Sequence, residues 1–108
     1  MTVGQISEKL GLKTVTLCDA DRSVQGVYIG DLLSWVMGRA SADDAWITIM
    51  SNINIVAVAA LVDTACIILA EDVEVDEDVK KTAVEKKINI FSSSKTAYEL
   101  AAELSGIL

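Results

Sequence analysis

Apolar positions change period several times along the chain. Val3, Ile6 and Leu10 share one face of a short helix that Thr2 and Gln5 open at capping-box spacing and that Gly11 is placed to end. "TVTLC", Thr14 to Cys18, alternates hydroxyl and apolar side chains as a half-buried strand does, and the polar "DADRSVQ" links it to a second strand, "GVYI". Asp31 after Gly30 stands where a cap would precede the helical spacing of Leu32, Leu33, Val36 and Met37, which Gly38 closes before the loop "SADD".

Beyond that loop, strands and helices alternate. "AWITIM", Ala45 to Met50, reads as a third strand, and Ser51 and Asn52 offer side-chain oxygens to a helix from Ile53 to Leu61. "CIIL" reads as a strand buried on both faces. "EDVEVDEDVKKTAVEKK" sets acids before and within a first helical turn and Lys86 and Lys87 at the last, the order a helix dipole favours. "INIF" is a fifth strand, and in "SSSKTAYELAAELSGIL" Ser94 is positioned to cap a last helix whose apolar face is Ala97, Leu100, Ala101 and Leu104. This spacing implies right-handed crossovers, so the predicted fold is α/β: a mostly parallel five-stranded sheet with helices packed on it, one domain over residues 1–108.

Composition narrows the chemistry. The chain is 52% apolar but only 5% aromatic, so Val, Ile, Leu and Ala must build the core. A net charge of −7, with nine Lys and Arg in no basic run, repels phosphate backbones and excludes nucleic acid as a partner. The absence of histidine removes the usual general base and the commonest zinc ligand. Cys18 and Cys66 lie far apart, outside any Cys-x-x-Cys pattern, and read as free thiols of a reducing cytosol. "MTVGQISEKLGLK" lacks the basic and apolar blocks of a signal peptide, so a cytoplasmic location is expected. Ile53 to Ala70 has nearly the length of a membrane span, yet Asp63 would sit in it at a cost of about 2.5 to 3.5 kcal/mol; a helix ending near Asp63 and a short buried strand explain the charge better, and no membrane is expected.

The glycines of "GVYIGDLLSWVMG", Gly26 to Gly38, fit neither a dinucleotide fingerprint nor a phosphate loop. Gly26 and Gly30 are expected at tight turns, with the intervening apolar residues packed. Trp35 and Met37 straddle Val36 and cannot both share its helical face, which leaves apolar surface for association; Tyr28, Leu32, Trp35 and Met37 are the candidate interface. The acids of Glu71 to Asp78 lack the glycine and spacing of a calcium loop, and no metal is expected; Asp43 and Asp44 read as a turn. Ligands of parallel α/β sheets lie beyond the strands' carboxyl ends, where helix N-termini face anions. Two stretches qualify there, Ser51, Asn52 and Asn54 after the third strand and Ser92, Ser93, Ser94, Lys95 and Thr96 after the fifth, with plain helix capping as their other reading.

The runs "GVYIGDLLSWVMGRA", "WITIMSNINIVAVA", "CIILAEDVEVDEDV" and "KINIFSSSKTAYELA" resemble, from about Val15 to the end, a stand-alone DRTGG domain. The resemblance implies the fold of the N-terminal domain of HPr kinase/phosphorylase and MurF-type ligases, and a regulatory or assembly module without catalysis. The residues that name that family are replaced: Ser51 to Asn54 stand in the place of its Asp-Arg, and Ala70, Glu71 and Asp72 in that of its Thr-Gly-Gly, while Asp21-Arg22 lies too early to align. The expected function is a non-enzymatic, cofactor-free regulatory homodimer that binds a nucleotide or other anion at the strand ends. The alternative is an interaction subunit without small ligand, docking to a kinase-like ATPase or a hydrogenase-related redox enzyme, partners the resemblance suggests.

Overall fold

A computed structural model describes residues 1–108. The elements in chain order are α1 (Val3–Leu10), β1 (Lys13–Thr16), β2 (Gly26–Ile29), α2 (Leu33–Arg39), β3 (Asp44–Thr48), α3 (Asn54–Val62), β4 (Cys66–Leu69), α4 (Glu77–Lys86), β5 (Ile90–Ser92) and α5 (Ala97–Ser105). The strands form one sheet in the order β1-β5-β4-β3-β2. Alternation of side chains splits the interior in two. Ala45, Ile47, Cys66, Ile68 and Phe91 face α1 and α5, whose Val3, Ile6, Leu100 and Leu104 are fully buried. Trp46, Ile67, Leu69 and Ile90 face the opposite layer of α2, α3 and α4.

The expectation of a mostly parallel sheet holds for β2 to β5 and is corrected at β1, which pairs antiparallel with β5. Parallel neighbours in sequence need a crossover element, and the Leu17–Gln25 connection carries none. It runs instead along the edge of the domain, tied to the N-terminus where Val3 N–H donates to Arg22 O (2.8 Å) and Val24 N–H to Met1 O (2.9 Å).

Several local signals hold as the sequence placed them. Thr2 and Gln5 form the reciprocal capping box, and Gly11 ends α1 at φ 63°. Asp76 caps α4 by accepting from Val79 N–H. Other boundaries moved. Asp31 does not cap α2; its Oδ1 accepts from Thr48 Oγ1 (2.8 Å) and Ile49 N–H (3.0 Å), drawing the β2–α2 corner onto the end of β3. The helix therefore starts at Leu33 and runs through Gly38 to Arg39. Thr96, not Ser94, caps α5. Gly26 and Gly30 make no left-handed turn, since among the glycines Gly11 alone has positive φ. They give room: a Cβ on Gly26 would meet Asp44 Oδ1 at 2.8 Å, and one on Gly30 would meet the Tyr28 ring at 2.8 Å. The apolar run Ile53 to Ala70 resolves into α3 and β4, and no helix is long and apolar enough to cross a membrane.

Asn89, at the entry to β5 and only 2% exposed, has all four amide valences filled. Its Oδ1 accepts from Cys18 N–H (2.8 Å) and Asp19 N–H (2.9 Å), and its Nδ2 donates to Asp19 O and Ala65 O, both at 3.0 Å. Beside it, Thr16 Oγ1 donates to Ile88 O (2.7 Å) and accepts from Ile90 N–H (3.1 Å). Asn89→Ala strands several backbone groups at once. The expected loss is about 3 kcal/mol in urea unfolding, with the m-value retained; a loss below about 1 kcal/mol would show that water replaces the amide at no net cost.

Candidate functional site

The carboxyl ends of β2 to β5 open on one rim, and the predicted anion-binding residues divide across it. Ser51, Asn52 and Asn54 follow β3 and are exposed; Ser92 ends β5, a residue later than the sequence implied, and Ser93 to Thr96 follow it; β4 separates the two stretches. Between them lies Ala70 to Asp76. Glu71 and Asp72 hold the left-handed region, at φ 58° and 59°, where glycine sits without steric cost. Their N–H groups donate to Lys95 O and Ser93 O at 2.9 Å, so the two loops are knit together and two acids stand mid-rim.

Most of the predicted donors have internal work. Lys95 Nζ meets both Glu103 oxygens at 2.8 Å, and Ser93 Oγ accepts from Lys95 N–H. Thr96 and Glu99 close a capping box that fills the N-terminus of α5 with a carboxylate. The Thr96 backbone N–H, then its hydroxyl, hold the Glu99 carboxyl below the usual glutamate range. That contribution is present above the ordinary glutamate pKa and is lost as acid protonates Glu99. Asn52 Oδ1 accepts from Asn54 N–H at 2.9 Å, leaving Ser51 unengaged and no acid in the first turn of α3. Ser92, half-buried, faces away from this group and lines a separate cavity shared with Lys13 and Lys80.

The candidate interface is exposed where it matters. Leu32, Trp35 and Met37 are 58%, 52% and 46% exposed, whereas Tyr28 is half-buried and packs on the core beneath α2. The Arg39 guanidinium sits 3.6 Å from the Trp35 ring centroid, one helical turn on, and fixes that ring's orientation. Ile29 and Ile49 are exposed as well, but alternation turns them with Val27 and Ile47 toward the α1 and α5 layer, away from the α2 face. The second tryptophan, Trp46, is wholly buried and donates its Nε1–H to Gly30 O at 2.9 Å.

At the opposite end of the sheet, Arg22 gathers what the sequence had presented as a turn. Its Nε and Nη2 donate to Asp43 Oδ1 at 3.1 and 2.8 Å, and its Nη2 to Asp63 O at 2.7 Å; Nη1 lies 3.0 Å from Asp63 Oδ1. Asp43 and Asp63 both have positive φ, so one guanidinium holds two left-handed corners. Burial is the largest influence on the Arg22 pKa and pulls it down, but the bonds to Asp63 and Asp43 outweigh it and leave the pKa raised. A polar cleft of about 510 Å³ beside it is lined in part by Cys18, Arg22, Lys87 and Asn89. Burial pushes the Cys66 thiol up to about 12, only partly offset by Arg22, while Cys18 is exposed. No group of three or more acids, cysteines or histidines is arranged to hold a metal ion. Sequence reasoning missed Arg22, Asn89, Lys13 and Lys80 as structural or site residues, because each acts on a partner from a distant element.

The family model of the DRTGG domain matches residues 5–107, a span that takes in most of α1 ahead of Val15. Among solved structures, the chain is similar to the CBS and DRTGG domains of the regulatory region of Clostridium perfringens pyrophosphatase, complexed with its activator diadenosine tetraphosphate. The TM-score is 0.73 at 10% identity, over 95% of this chain and 45% of that one. Identity that low speaks to the fold alone, and this chain spans less than half of its neighbour's length. No curated protein matches the chain in sequence.

Two measurements follow from the Arg22 corner. Arg22→Met should cost about 1 to 2 kcal/mol at low ionic strength, a figure held down by solvent screening at the partly exposed aspartates, and the loss should shrink in high salt. A thiol reagent should titrate one cysteine, Cys18, in the native protein and two in denaturant; rapid reaction of both without denaturant would contradict the burial of Cys66.

Proposed function

The chain belongs to the DRTGG domain family, and on that premise we propose that it is a non-catalytic regulatory module, acting as a homodimer and sensing a nucleotide or another anion at the carboxyl ends of its parallel strands. Support for association comes from Leu32, Trp35 and Met37, large apolar side chains left in water close together on and beside one short helix. Trp35 is held by Arg39 before any partner arrives, so little side-chain entropy is lost on docking. Support for sensing comes from the exposed Ser51, Asn52 and Asn54 at an α3 start without acids; Ser92 to Thr96 across the rim are included with most of their polar groups already engaged within the chain.

The same apolar face favours a second reading: an interaction subunit without small ligand, docking to a kinase-like ATPase or a redox enzyme. The two differ in what the isolated protein does. A ligand that binds only the folded state raises the melting temperature with its concentration, whereas the docking subunit is silent to metabolites and has no need to self-associate.

Sedimentation of Trp35→Ala decides the association. The variant should keep its far-UV dichroism and melting temperature, because Trp35 is no part of the core, and its dimer dissociation constant should rise about tenfold or more. A wild-type chain that stays monomeric at all concentrations overturns the homodimer and leaves the docking subunit.

A further inference from the structure

We propose that the cavity enclosed by β1, β5 and α4 is a binding site for a small oxyanion of the phosphate class. Its volume is about 190 Å³, and Lys13, Lys80, Ser92 and Glu74 line it against Val15 and Val75. Lys13 and Ser92 are cross-strand partners in the antiparallel pair, so their side chains leave the same face of the sheet. That face is the one α4 covers, since Ile90, two residues before Ser92, packs in one cluster with Val79 and Ala83. Lys80 enters from α4 itself, one turn past the Asp76 cap.

What separates this cavity from the rest of the rim is that the Lys13 and Ser92 side chains at it make no bond within the chain. Lys95 is paired with Glu103 and Arg22 with Asp43 and Asp63, but Lys13 joins no ion pair. Lys80 is held only by Glu77, which is 89% exposed, at 3.2 Å. The Ser92 hydroxyl makes no hydrogen bond within the chain, although Ser93 next to it does. With Lys80 paired to Glu77 and Glu74 on the wall, Lys13 is the ammonium group at the cavity left without a carboxylate partner. Size sets the ligand class. Drug-sized ligands occupy about 300 to 1,000 Å³, so this volume takes one phosphate and leaves any nucleoside attached to it outside.

The proposal deepens the anion-sensing reading and rests on it for its role. Its test is a heteronuclear NMR titration of the full chain with inorganic phosphate and, separately, with adenosine monophosphate. Saturable shifts at the amides of Lys13, Lys80 and Ser92 are expected, with the dissociation constant raised about tenfold or more in Lys13→Met and Lys80→Met and unchanged in Lys9→Met. The same spectra report that each variant is folded. Tighter binding of the nucleotide identifies a phosphomonoester as the source of the anion, and equal binding identifies the free ion; both support the site. Binding unaffected by either lysine, or shifts confined to Ser51–Asn54 or Ser93–Thr96, overturns the cavity but leaves the sensing reading standing. No saturable shift with either anion overturns both.

Discussion

The amide of Asn89 joins three stretches of chain that are distant in sequence. The connection after β1 supplies two donors and one acceptor, and the residue before β4 supplies another acceptor, all to one side chain at the start of β5. An apolar residue of equal volume could fill the space but would leave those backbone groups unpaired in the interior. With Thr16 bonded on both sides of Asn89, to Ile88 and Ile90, the first strand can lie only where it does. The register that brings Lys13 opposite Ser92 follows, and so does the cavity against α4.

Charge and apolar surface are kept apart in this small domain. Acids stand at the start of α4 and at the middle of the rim, where Glu71 and Asp72 occupy backbone conformations that glycines would adopt more easily. Phosphate approaching there meets repulsion. On the β5 side of that acidic centre the cavity presents Lys13 and Lys80, and on the β2 side Leu32, Trp35 and Met37 stand exposed. A ligand and a protein partner would thus engage opposite edges of one sheet, joined through strands that are buried on both faces.

How much of this was readable in the sequence depended on the reach of each interaction. The Thr2–Gln5 box, Gly11, the acids at the start of α4 and the strand "CIIL" were legible because periodicity and helix ends are decided within about one turn or one strand. The order of strands and helices was legible for the same reason, and the family resemblance rested on it. The direction of β1 had a signal, the missing crossover helix before β2, that an alternating pattern obscured. Thr96 displaced Ser94 as a cap because Glu99 sits three residues on, a spacing that was present in the sequence and outweighed the nearer serine. Arg22 and its aspartates lie 21 and 41 positions apart, and Asn89 acts across 70. No local pattern carries such pairings. The sequence placed the anion-binding candidates at the carboxyl ends of the strands, but carried no sign that internal bonds occupy Lys95, Thr96 and Ser93, nor that Ser92 turns toward a lysine from the first strand.

The antiparallel first strand also bears on the order in which the chain can fold. Val3, Ile6 and Leu10 are buried with Leu100 and Leu104, and β1 has β5 as its only neighbour in the sheet. On a ribosome, these earliest residues emerge long before the segment that receives them. The parallel strands β2 to β4, with α2 and α3, lie close together in sequence and can assemble without either terminus. Pairing β1 with β5 brings Lys13 to Ser92, a contact across most of the chain, and it carries a larger loop-closure cost than any other strand pair of the sheet.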